Sequence, residues 1–400
     1  MTCQTGSLRR ASAWLLAACA CGAIAVTAQD PRPGATSRPA EDRAARAAPE
    51  PARELRGAWI DRSSLVSRDE IRKTMKTLAD GRFNVAFVLV WSRGYPLWRS
   101  RVFERETGLV TDPDYGGRDV LREAIEEAGA AGIHLMPWVE YGFVAGYTPH
   151  HPGKNGCGPI FDRHPDWLAK TKSGETRFPA PGGQYCWLAH ARPDAQEFLL
   201  ALMAELAREY KTAGVQFDRA RYPQFDCGYD DYTRDAYRRE RGVYPPDDPA
   251  EQAWVRWRAD GLNVFVKALY ARLKTADPAG LVSNAPIVYP YGYDNFAQDY
   301  PGWMRDRSVD FMVPQLYRKD LASFERDLDT QLASVVQPAL MVPGIDITNT
   351  SADVVIASIE AARRRNLPGV VIWYYRGLER AGAFERLSAT VFRKRASLPW

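Results

Sequence analysis

Between Gly214 and Pro223 a short apolar run ends in a carboxylate, two arginines and a tyrosine: Asp218, Arg219, Arg221 and Tyr222. Where parallel strands alternate with helices, strand C-termini open on one face, so a charged side chain there meets substrate rather than core. Asp218 is therefore the first candidate for catalysis. Other strand ends supply Trp59 with Asp61, Trp91 with Arg93, Trp138 with Glu140, and Gln216 with Asp218 itself. The period of two along a strand puts both members of each pair on one face. Asn284, Gln315, Tyr317, Asp346, Trp373 and Tyr375 extend the ring. Flat aromatics beside carboxylates and amides suit a sugar site, because the C–H face of a pyranose stacks on indole or phenol while its hydroxyls bind polar groups.

Glycoside hydrolysis needs two carboxyl groups, one to protonate the leaving oxygen and one to act as nucleophile or to activate water. Glu140, on the strand next to that of Asp218, is the preferred partner, kept protonated where Trp138 and Tyr141 shield it from water. Asp346 ranks next and Asp61 below both. Arg219 and Arg221 are expected to hold Asp218 ionised, which makes Asp218 the nucleophile or base and Glu140 the acid. Arg93, Arg221, Tyr222 and the aromatic ring are expected to bind substrate.

The elements that must position these groups are eight short apolar runs, at 57–61, 85–91, 134–141, 214–218, 281–284, 311–317, 340–346 and 370–375. Helices are expected at 67–79, 119–131, 193–212, 248–276 and 351–365, the first capped by Ser67. Strands alternating with helices predict an α/β fold, a single (β/α)8 TIM barrel with a long loop after the third strand. A doubly wound sheet would want a glycine-rich phosphate turn after its first strand, and residues 61–64 supply none. The long loop, 142–192, carries four of the 5 histidines, His150, His151, His164 and His190. No two of them sit at helical ligand spacing with a nearby Glu, so neither a metal site nor a cofactor is expected. His164 should cap a turn and place Trp167, and 182–187 reads as a lid or platform over substrate.

Arg9 and Arg10 precede an apolar run, 11–28, with the small-residue end of a secretory signal. Cleavage after Ala28 is expected, although 16–19 also resembles a lipoprotein box in which Cys19 would carry lipid and tie the chain to a membrane. The destination is periplasmic or secreted. Residues 29–54, rich in Pro, Ala, Arg and Glu, read as a flexible tether, leaving 55–400 as one folded domain. Lys and Arg number 53 against 49 Asp and Glu, a balance that argues against nucleic acid as a partner. No heptad or exposed apolar helix stands out, so a monomer is the default. Beyond the leader stand Cys157, Cys186 and Cys227. One disulfide and one thiol are expected, Cys157–Cys186 being the pair that would pin the long loop, with Cys227 able to replace either.

Residues 56–60, 83–85 with 91–95, 138–143, 164–168, 214–223, 260–265 and 313–317, taken in order, resemble the bacterial glycosyl-hydrolase-like family ten. The similarity runs from about Arg53 to Tyr375. It implies a (β/α)8 fold, export, and glycoside hydrolysis with cell-wall glycan strands as the substrate class. Two departures stand out: the family often pairs aspartates after the fourth strand, where this chain has Asp218 and Arg219, and the segment around Asn155 to Cys157 lies outside the likeness. The leading expectation is an exported glycosidase acting on a polysaccharide. A carbohydrate-binding barrel without catalysis is the alternative, and a metal-dependent hydrolase or deacetylase using the loop histidines the third.

Overall fold

The structure, a computed structural model, describes residues 50–400. The leader, Cys19 and most of the tether lie outside the described residues.

Eight parallel strands form the frame: β1 (Leu55–Ile60), β2 (Val85–Leu89), β3 (His134–Val139), β4 (Gly214–Phe217), β5 (Leu281–Asn284), β6 (Phe311–Met312), β7 (Gly344–Asp346) and β8 (Gly369–Trp373). They pair in the order β6-β5-β4-β3-β2-β1-β8-β7, every contact parallel. The two outer strands meet. Bridges from Met312 to Met341 and from Gln315 to Gly344, with hydrogen bonds from the Gly344 amide to the Pro314 carbonyl (2.9 Å) and from the Leu316 amide to the Gly344 carbonyl (2.9 Å), close the sheet into a barrel. Such strands are covered on both faces, inside by barrel-filling side chains and outside by helices, so they read as unbroken apolar runs. In β1 and β2 every residue is buried.

The helices begin where their capping chemistry dictates. Ser67 accepts from the Glu70 amide at the start of α1 (Arg68–Asp80), the Ser-x-x-Glu arrangement of a capping box. Asp119 caps α2 (Val120–Ala131), and Gly132 ends it in the left-handed conformation that glycine adopts without cost. Further helices are α3 (Pro193–Glu209), α4 (Gln252–Ala276), α5 (Tyr300–Arg305), α6 (Leu321–Ser334), α7 (Ala352–Arg364) and α8 (Ala383–Thr390), one behind each strand.

Three expectations need correcting. The runs at 311–317 and 340–346 shrink to two- and three-residue strands, because Pro314 and Pro343 have no N–H to give to a ladder. The fold starts before Leu55: Ser397 donates to the Ala52 carbonyl and accepts from the Glu54 amide, and Glu54 is buried between Arg56 and Arg363. The segment after β3 is not irregular. It builds a three-stranded antiparallel sheet from Val144–Tyr147, Gly183–Trp187 and Arg177–Ala180, pinned by the Cys157–Cys186 disulfide with Cα atoms 5.7 Å apart. Cys227 is a free, buried thiol. Among the described residues no helix is long and apolar enough to cross a membrane.

Candidate active site

At the C-terminal mouth of the barrel, a cavity of ≈ 110 Å³ is lined by Trp59, Trp138, Glu140, Asp218, Arg219, Gln315, Tyr317 and Trp373. Six of the expected site residues meet there. Three indoles from β1, β3 and β8 form its floor, with ring centres 6.1 Å apart for Trp59–Trp138, 6.0 Å for Trp59–Trp373 and 5.7 Å for Trp138–Trp373. Tyr317 stacks on Trp373 at 6.2 Å. The floor is fixed from below, inside the barrel. Trp59 Nε1 donates to Gln216 Oε1 at 2.7 Å, and Gln216 Nε2 donates to Ser283 Oγ at 2.9 Å, so a strand-facing amide ties β1 to β4 and β5. Trp138 Nε1 is buried beside Asp218, short of good hydrogen-bond geometry with any described residue, yet its N–H favours the charged form of that carboxylate.

Both carboxyl groups are held by one residue. The Arg219 backbone N–H donates to Asp218 Oδ1 (2.5 Å), while its guanidinium donates from Nη2 to Glu140 Oε1 (3.3 Å) and from Nε to the Glu140 carbonyl (3.1 Å). This reach requires Arg219 to sit at φ 49°, a left-handed conformation uncommon for a residue with a Cβ and frequent at functional sites. The guanidinium lies over the rings of Tyr141 (5.1 Å) and Tyr185 (5.5 Å). Gln315 Nε2 donates to Asp218 Oδ2 at 3.3 Å and to the Ala285 carbonyl at 2.9 Å. Gly142, at φ 44°, lets the chain leaving Glu140 pass the Asp218 backbone, since a Cβ there would lie 2.2 Å from the Asp218 carbonyl oxygen.

Burial dominates the electrostatics of both acids. It pushes Glu140 up to about 7, Arg219 opposing and the Asp218 charge adding to the rise. It pushes Asp218 up to about 6, against Arg219 and Arg221. Two interacting groups titrate as a pair, so near neutrality one carboxyl carries a proton and its neighbour does not. That is the protonation an acid–base couple needs.

Other expected residues fall elsewhere. Asp346 is buried, but Oδ1 accepts from the Thr348 amide (2.7 Å) and hydroxyl (2.6 Å) and Oδ2 from Asn349 (2.8 Å), so it ties down its own loop rather than lining the cavity. Trp91 turns into the wall, donating to the Gly142 carbonyl (3.0 Å) and packing on Phe103 and Phe198; β2 has already ended at Leu89, so the alternation no longer aims it inward. Tyr375 is likewise past the end of β8, opens a short helix and bonds Glu379. Tyr222 stacks on His190 (4.1 Å) and borders a separate cavity with Trp257 and Arg258. Arg221 lies over Trp187 and Phe296 and acts on Asp218 only through its charge. Asn284 is buried, its Oδ1 without a partner, and Tyr141 packs behind Arg219. Asp61 and Arg93 line an open groove with Arg62, Ser63, Asp114 and Tyr115, and Asp61 is near enough to add to the rise at Glu140.

Trp59 and Arg219 were named at strand ends without being singled out for substrate, and Tyr185 only as part of 182–187, the segment read as a lid or platform; it lies under the Arg219 guanidinium. Of the loop histidines, His164 stacks on Trp167 at 3.9 Å but makes no capping hydrogen bond, and His190 is buried, its Nε2 donating to the Arg221 carbonyl at 2.9 Å. His164 meets a single carboxylate, Glu106, at 2.9 Å, whereas His150 and His151 gather with two, Asp112 and Asp114.

A model of the family described as glycosyl hydrolase-like 10 matches residues 54–343, which includes every residue that shapes the cavity except Trp373. This chain belongs to the glycosyl hydrolase-like 10 family. Among curated proteins, glycosyl hydrolase DigH of Escherichia coli (strain K12) is 23% identical over 262 residues, covering 58% of this chain and 54% of its own length. The DigH of Shigella flexneri matches to the same extent. The chain thus spans about half the length of the curated relatives it matches. Among solved structures, the PgaB (BpsB) glycoside hydrolase domain from Bordetella bronchiseptica superposes with a TM-score of 0.60 at 13% identity, over 87% of this chain and 100% of that one. The catalytic domain of beta-amylase from Paenibacillus polymyxa gives 0.62 at 12% identity, over 86% and 100%. These likenesses show the TIM-barrel fold, and family membership places the chain among glycoside-hydrolase-type, carbohydrate-active proteins.

Proposed function

We propose that this protein is an exported glycosidase that cleaves O-glycosidic bonds in a polysaccharide, with bacterial cell-wall glycan strands as the substrate class. The observation that carries the reading is the pair of half-buried Glu140 and buried Asp218 at the barrel mouth, both raised toward neutrality and both gripped by Arg219. Glu140, with the higher proton affinity, gives its proton to the glycosidic oxygen as the C–O bond breaks. Asp218, held by two hydrogen bonds, supplies the carboxylate that attacks the anomeric carbon or takes a proton from the attacking water. Trp373, partly open to the cavity, offers an indole face for the sugar ring. A disulfide across the loop agrees with an oxidising compartment, as does the signal-like start.

The deciding experiment is product release from purified peptidoglycan, with and without its stem peptides, by the mature protein and by Asp218→Asn and Glu140→Gln. New reducing ends that vanish in both variants support a two-carboxylate glycosidase on this substrate. Cleavage undiminished in both variants overturns the assignment. Glycan binding without cleavage by the unmodified protein would instead support the non-catalytic carbohydrate-binding reading.

A further inference from the structure

Beside the open groove, two imidazoles and two carboxylates converge from segments far apart in sequence. Asp112 and Asp114 flank Pro113 at the start of a short turn, and His150 and His151 follow the first strand of the loop sheet. One donor atom from each lies within 4.8 Å of every other. His151 Nε2 stands 2.8 Å from Asp114 Oδ1 and 3.8 Å from Asp112 Oδ1, while His150 stands 3.1 Å from Asp112 Oδ2 through Nε2 and 3.5 Å from Asp114 Oδ2 through Nδ1. Tetrahedral zinc with bonds of about 2.0–2.1 Å sets its ligands roughly 3.3 Å apart, inside that spread.

The pair of rings is built to face one way. Adjacent side chains ordinarily diverge, but His151 at φ 46° turns its ring alongside that of His150, with centres 4.5 Å apart. Tyr95 packs edge-on against both, at 5.2 and 5.5 Å, and its hydroxyl donates to the His151 carbonyl at 3.1 Å. Arg62 supplies the outer support, donating to Asp112 Oδ2 (2.7 Å) and Asp114 Oδ2 (3.2 Å) and leaving each Oδ1 free of it. Metal-bound carboxylates are commonly hydrogen-bonded in this way by residues behind them.

We propose that Asp112, Asp114, His150 and His151 form a binding site for a divalent transition metal of the zinc class. Two imidazoles with two carboxylates suit zinc, nickel or copper, whereas calcium and magnesium prefer all-oxygen sets. A bound ion would clip the loop after β3 to the 112–114 turn, fixing the groove wall that Asp114 shares with Asp61 and Arg93. The proposal is independent of the glycosidase reading, since its readout is metal content rather than catalysis.

The test uses the whole mature protein, dialysed against a chelator and then titrated with zinc sulfate, with calcium chloride in parallel. Metal content after gel filtration and a calorimetric titration are compared for the unmodified chain, His151→Ala, Asp114→Asn and His134→Ala. His151, Asp114 and His134 all reach solvent, and thermal unfolding of the chelated proteins checks that each variant folds. About one zinc per chain is expected, with affinity lowered at least tenfold in His151→Ala and Asp114→Asn, unchanged in His134→Ala, and no matching calcium binding. An unmodified chain that keeps no zinc, or zinc kept equally by His151→Ala and Asp114→Asn, overturns the site and leaves a hydrogen-bonded clasp.

Discussion

Arg219 grips Glu140 twice, through Nη2 to Oε1 at 3.3 Å and through Nε to the backbone carbonyl at 3.1 Å. The same residue's amide holds Asp218 Oδ1. A single cation therefore restrains the rise in proton affinity of both acids.

The pH dependence follows from the two acids. Activity should be bell-shaped, falling below about 6 as Asp218 gains a proton and above about 7 as Glu140 loses one. Glu140→Gln, assayed on an aryl glycoside whose leaving group needs no proton, should lose the alkaline fall and keep the acid one. An alkaline fall surviving in that variant would remove Glu140 from the role of acid.

Replacing the shared cation should move both limbs together. In Arg219→Met each carboxyl loses the charge that opposes its burial, so both pKa values rise and the profile shifts to higher pH, with a lower maximum. A shift of one limb alone would mean that Arg219 serves only one carboxylate.

Stability should change in the opposite sense to activity. A carboxyl raised in the folded state contributes most below its unfolded pKa, and that contribution is lost as pH rises through the folded value. Between about 4 and about 7 the unmodified protein thus pays to ionise Asp218 and Glu140 in a buried site. Asp218→Asn and Glu140→Gln should each be more stable than the unmodified protein at pH 8, by about 1–3 kcal/mol, and equal to it near pH 3.5. Urea unfolding at the two pH values checks this; variants less stable at pH 8 would show that the carboxylates are structurally required.

The disulfide spans 29 residues. Cys157→Ser should cost about 3 kcal/mol by loosening the unfolded-state constraint, and should open the loop sheet first. Hydrogen exchange confined to 144–187 before global unfolding is the expected pattern, and uniform loss of protection across the barrel would contradict it.

The barrel was legible because strands covered on both faces leave unbroken apolar runs, and because Ser67, Asp119 and Ser351 mark helix starts by their own chemistry. Glu140 and Asp218 were legible because strand ends meet at one mouth. Trp91 and Tyr375 were misplaced for a local reason: each lies beyond the last residue of its barrel strand, Trp91 in a separate antiparallel hairpin with Pro96 and Tyr375 at a helix start, where the barrel's alternation stops governing direction. The loop sheet was hidden because its pairing is non-local, Val144 with Trp187 across a bulge, and with it the contact of Tyr185 with Arg219. Asp112 and Asp114 gain meaning only beside His150 and His151, which the fold brings to them from 38 and 37 residues away.

The barrel shuts between β6 and β7, where isolated bridges replace a ladder, and Gln315 belongs to one of them. Its amide is also a tether of Asp218. The thinnest stitch in the wall and the grip on the proposed catalytic carboxylate are therefore the same residue. Thermal breathing at that seam loosens the chemistry before it loosens the core, so heat should silence this protein while most of its hydrophobic interior is still intact.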